Sequence, residues 1–131
     1  MCFIKYIYAP EDKIVQIAEE DIVCTKLVKE KGNLLTSLYR NGFVYLNILY
    51  HKSVTLTAKM QPCIINSIIH GGNIIIIHEG IHANINSSIK TGTRSIYVVK
   101  AVIPKGTKYY STLNEIVAEK MIIYNPYPIE D

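Results

Sequence analysis

The chain has 131 residues, 49% of them hydrophobic and 19% charged, with a formal net charge of +3. That balance suits one globular domain spanning 1–131 with a single core, and it excludes a disordered chain. It also excludes the footprint of a nucleic-acid binder. No run of five Lys or Arg occurs, and the densest basic stretch, Lys26 to Lys31, is interrupted by Glu30.

In chain order, residues 2–8 read as a strand closed by Ala9-Pro10. Residues 11–20 fit either a short helix, from the Ile14, Ile17, Ala18 spacing, or an extended segment. Residues 22–28 are a strand by β-branching, followed by a loop over 29–33 that turns at Gly32-Asn33. Asn41-Gly42 is a turn signal, and Phe43 to Leu46 with Ile48 to Tyr50 gives two short strands or one bent one. The apolar runs 63–69 and 74–77 flank His70-Gly71-Gly72-Asn73, which predicts a hairpin because glycine supplies positive φ without strain.

Residues 84–90 suit a short helical turn. The best strand is 94–103, stopped by Pro104, and a turn at Lys105-Gly106 leads to a strand over 107–111. One or two strands over 115–124 precede an irregular tail, 125–131, with Pro126 and Pro128. The pattern totals about eight short strands, mostly antiparallel, with one to three short helices, a β-rich α+β domain.

The three cysteines, Cys2, Cys24 and Cys63, follow no disulfide or C-x-x-C spacing, so reduced thiols in a cytoplasmic setting are the expectation. Met1 to Ala9 is too short for a signal peptide, and the run from Cys63 to Ile77 is too broken to span a bilayer. No membrane association is expected.

One spelling carries chemistry. His78-Glu79-Gly80-Ile81-His82 matches H-E-x-x-H, in which two histidines hold zinc and the glutamate activates water. The match has meaning only on a helix, where the two histidines lie about 6 Å apart on one face. On a strand four residues advance about 13 Å, too far for bonds of about 2 Å to one ion. Asn73 as a cap and Ile74, Ile77, Ile81 and Ile85 at helical spacing favour the helix. Four consecutive isoleucines, Gly80 and the Gly-Gly hairpin oppose it, and no third ligand follows at a metzincin spacing.

Three segments carry a resemblance: 41–50 (Asn41-Gly42-Phe43-Val44-Tyr45 to Tyr50), 79–83 (Glu79-Gly80-Ile81-His82-Ala83) and 102–123 (from Val102-Ile103-Pro104-Lys105-Gly106 to Ile122-Ile123). Together with residues 17–24 they resemble a group of small uncharacterised proteins of Bacteroides-type gut bacteria and their phages. Members of that group carry G-F-x-Y, G-F-H-S/A, I-P-K-G-x-x-Y-Y and I-V-S-D-x-I-I-I blocks. The resemblance implies a family without an assigned activity, found on mobile elements. It places His82 in a G-[FI]-H turn and leaves His78 outside it.

The chain is also similar, more remotely, to the ADP-ribosyltransferase-like fold. That likeness implies an early-strand Arg on the NAD phosphates and a late Glu on the ribose. Here the early strand offers Lys26, Arg40 falls in a loop, and Glu119 stands near the late position.

The leading expectation is a small soluble binding or interaction module for a protein or small ligand, with no cofactor and no metal favoured. The enzyme alternatives are a zinc-dependent hydrolase through His78, Glu79 and His82, and a degenerate ADP-ribosyltransferase-like domain using Arg40 and Glu119.

Overall fold

The computed structural model describes residues 3–7, 15–38, 43–67, 72–85, 96–112 and 114–127. Their regular structure is entirely β: β1 Phe3–Ile7, β2 Gln16–Ile17, β3 Ile22–Lys31, β4 Leu34–Thr36, β5 Val44–Asn47, β6 Ser53–Thr57, β7 Met60–Ser67, β8 Gly72–Glu79, β9 Ile81–Asn84, β10 Ile96–Ile103, β11 Lys108–Ser111, β12 Glu115–Ala118 and β13 Lys120–Tyr124.

No helix occurs among the described residues, which corrects the α+β expectation. The part of 11–20 that is described enters the short strand β2. The helical turn expected over 84–90 begins at the last residue of β9, and residues 86–90 lie outside the described residues. The composition explains the outcome: β-branched side chains lose rotamer freedom in a helix and pack well on a pleated surface.

The strands form two antiparallel sheets. The smaller has the order β1-β8-β7. The larger runs β2-β11-β12-β9-β3-β10-β13-β6, with β4 added to β3 and β5 to β4. The expected hairpin is present, with Ser67 opposite Gly72 and Met60 opposite Glu79 at its far end. Strand β3 runs to Lys31, three residues beyond the expected strand, and the turn falls at Gly32-Asn33. Residues 48–50 are a turn and not the second strand of the 43–50 segment. The turn expected at Asn41-Gly42 lies outside the described residues.

One face of the large sheet covers the main core, into which alternate residues of its strands point. Cys24 and Val28 of β3, Leu35 of β4, Leu46 of β5, Val99, Ala101 and Ile103 of β10, and Met121 and Ile123 of β13 are all buried there. Ile116 and Ala118 of β12 join this core, whereas Val117 between them faces the opposite way. It packs with Met60 and Ile77 of the small sheet.

Two neighbouring crossings within the described residues link the sheets. Ala58 and Lys59 carry the chain from β6 to β7, and Gly80 returns it from β8 to β9. Glu79 and Gly80 both have positive φ, 63° and 76°. A Cβ on Gly80 would lie 2.7 Å from Val117 Cγ2 and 2.9 Å from Met60 Cγ, so the close approach of the sheets requires glycine here. No helix of the described residues is long and apolar enough to cross a membrane.

Candidate functional site

Among the described residues, those singled out in the sequence fall on different strands and bends. His78 lies on β8 of the small sheet opposite Gln61, and His82 lies on β9 of the large sheet opposite Val117. Between them the chain bends at Glu79 and Gly80, so the helical turn on which the zinc spelling depends is replaced by strand, bend and strand. No group of three or more His, Cys, Asp or Glu arranged to hold a metal ion occurs among the described residues. Glu79 is exposed at the end of β8.

Arg40 lies outside the described residues. Glu119 sits at the bend between β12 and β13, where it braces the outgoing crossing. Its Oε2 accepts from the Met60 N–H at 3.0 Å and its backbone carbonyl from the Ala58 N–H at 3.0 Å.

Among the described residues, Lys26 is the cation held furthest inside. It stands on the core-facing row of β3 between the buried Cys24 and Val28. Strands β3 and β9 pair at Thr25 and Asn84, and side chains bridge the strands there. The Thr25 hydroxyl donates to the Asn84 carbonyl at 3.2 Å, and Lys26 Nζ donates to the His82 carbonyl. The same ammonium lies 5.5 Å from the centre of the Tyr45 ring, a cation–π contact. Burial lowers the Lys26 pKa to about 8, with the neighbouring Cys24 opposing the shift. Burial pushes the Cys24 thiol up to about 11, with Lys26 opposing that shift. Cys24 is therefore a neutral thiol and a poor nucleophile at neutral pH.

The feature that the sequence did not announce is the turn after β5. Asn47 organises it: its Oδ1 accepts from the Leu49 N–H at 2.9 Å, and its carbonyl accepts from Tyr50 N–H at 3.1 Å and His51 N–H at 3.0 Å. The Asn47 N–H donates to His51 Nδ1 at 3.0 Å.

Two remote segments anchor the same turn. Ile48 N–H donates to the Asn33 carbonyl at 2.8 Å, and Asn125 Nδ2 donates to the carbonyls of Ile48 and His51, each at 2.9 Å. On this frame Leu49 is 54% exposed and Tyr50 75% exposed. At the other end of β5, Phe43 and Val44 are exposed as well, and the Phe43 ring meets Tyr45 at 5.7 Å between centroids.

The signal available in the sequence was Asn47, whose side chain closes turns by accepting from the backbone two residues on. The strand preference of Ile48, Leu49 and Tyr50 concealed it. Compared with known proteins, the chain matches no family model, no curated sequence and no solved structure.

Proposed function

We propose that the chain is a protein-binding module whose contact surface centres on Leu49 and Tyr50. The observation that carries the reading is the combination of their exposure with the immobilised backbone beneath them. Exposed apolar side chains are ordinary when scattered on mobile loops. Here the backbone groups of residues 47, 48, 50 and 51 are spent on hydrogen bonds to the protein's own chain. Ordering cost is therefore already met before a partner arrives, and a tyrosine on such a support is a characteristic anchor of binding energy.

Two groups with catalytic potential, Glu119 and Lys26, are engaged in holding the strands. The Glu119 carboxylate holds the Met60 amide, and the Lys26 ammonium holds a carbonyl beside an aromatic ring. The partner surface that suits this turn is an apolar pocket deep enough for a phenol ring. The resemblance to proteins of phages and mobile elements makes a bacterial host protein the first class to test.

The experiment replaces Tyr50 with the photo-crosslinking amino acid p-benzoyl-phenylalanine in the protein's own cellular setting, and places the same residue at exposed Lys29 as a control. The reading predicts a crosslink to a different polypeptide from position 50 and none from position 29. Equal crosslinking from both positions, or crosslinking from 50 only to a second copy of the chain, contradicts it.

A further inference from the structure

The large sheet ends on β6, and no strand pairs with the outer edge of β6 among the described residues. Two other sheet edges are blunted. Strand β2 has two residues, and β7 carries Pro62, which has no N–H to offer a ladder. Strand β6, Ser-Val-Thr-Leu-Thr, has neither proline nor charge within it. Proteins normally guard such an edge with one or the other.

The direction of its free groups follows from two bonds. The Lys52 carbonyl accepts from Asn125 N–H, and Ala58 N–H donates to the Glu119 carbonyl. Residues 52 and 58 thus face β13, and the register between Ser53–Tyr124 and Thr57–Lys120 has no bulge. Backbone direction alternates along a strand. The N–H and C=O groups of Ser53, Thr55 and Thr57 therefore point to the open side.

We infer that β6 pairs antiparallel with β6 of a second copy of this chain, about a two-fold axis through Thr55, to make one sheet continuous across a homodimer. In that register Thr55 faces Thr55, and Ser53 faces Thr57. All three outward N–H groups of each strand then meet an outward carbonyl, six bonds from two strands of three. A shift of the axis to Ser53 or Thr57 leaves groups unpaired.

The side chains fit as well. Val54 lies opposite Leu56 on the half-buried face, and hydroxyls lie opposite hydroxyls on the exposed one. Lys52 falls opposite Ala58, and Lys59 opposite His51, so no two lysines oppose each other. An isologous contact of this kind closes on itself and does not propagate into a fibre.

Sedimentation velocity across a concentration series tests it. Wild type is expected to show a concentration-dependent dimer. Thr55→Pro removes an N–H that points away from β13 and meets no strand among the described residues, and is expected to give a folded monomer at concentrations where wild type is dimeric. Thr55→Lys and Thr55→Glu each place like charges face to face, so each alone is expected to be monomeric, while an equimolar mixture forms a heterodimer. Monomeric wild type at every concentration overturns the inference. So does a dimer that survives Thr55→Lys, or a Lys and Glu mixture that stays monomeric. The charge pair keeps the test decisive if the proline variant fails to fold.

Discussion

The turn at 47–51 and the Lys26 corner invert the usual distribution of polarity. At the corner a cation lies inside, on the same row as Cys24 and Val28, and its charge is answered by the His82 carbonyl and the Tyr45 ring. At the turn, apolar side chains lie outside on a backbone whose polar groups are already satisfied. The difference lies in where each polar demand is met: Lys26 is spent on holding β3 to β9, while the turn's backbone is satisfied within the chain and leaves Leu49 and Tyr50 outside.

The largest effect in breaking that contrast is expected at Lys26. Lys26→Ala leaves the His82 carbonyl without its donor and empties space in the core row, and should lower unfolding stability by on the order of 2–4 kcal/mol in a denaturant titration. Lys26→Met keeps the volume and removes the buried charge, so it should cost only about 1 kcal/mol. Next comes Gly80→Ala at the crossing between sheets, where positive φ and the contacts to Val117 and Met60 should cost about 1–3 kcal/mol. Asn125→Ala removes two donors from the turn and should cost about 1 kcal/mol, with a larger proportional loss of partner binding.

Leu49→Ser and Tyr50→Ser sharpen the contrast from the other side. Both side chains face outward, so stability should change by no more than about 0.5 kcal/mol while partner binding disappears.

The pH dependence of stability separates the two buried groups of β3. Lys26 is lowered from 10.5 to about 8, so between those values the unfolded chain holds a proton that the folded one has released. Stability therefore rises with pH in that window. Cys24 is raised from 9.0 to about 11, so between those values the folded state holds the extra proton and stability falls with pH. The two trends oppose each other above pH 9. Thermal melts should show a rise from pH 8 to 9 that Lys26→Met abolishes.

Strands were readable in the sequence where β-branching was dense and turn residues were unambiguous. Ile96–Ile103 stops at Pro104 and Gly106 turns with φ 88°; the hairpin of β7 and β8 is present, with Gly72 and Asn73 inside β8 and not in the turn expected over 70–73. Short strands were not. Leu34–Thr36 and Ser53–Thr57 carry too few residues for a period of two to stand out, and their pairing with β3 and β13 is decided by distant partners.

The same reason hid the turn. Ile48, Leu49 and Tyr50 have strand-forming side chains, and what holds them in a turn is Asn125, 77 positions from Ile48. The H-E-x-x-H spelling is the converse case. Its residues are local and its meaning is not, because Glu79 and Gly80 are fixed by the contact of two sheets.

The central claim is that Leu49 and Tyr50 stand on a backbone fixed before any partner binds. Amide hydrogen exchange by NMR at Ile48, Tyr50 and His51 tests it directly, because each donates to a carbonyl within the protein. The account predicts that these amides are protected from exchange, and that Asn125→Ala lowers their protection while leaving β10 amides unchanged. Exchange at the rate of a free peptide in the wild-type protein would contradict it.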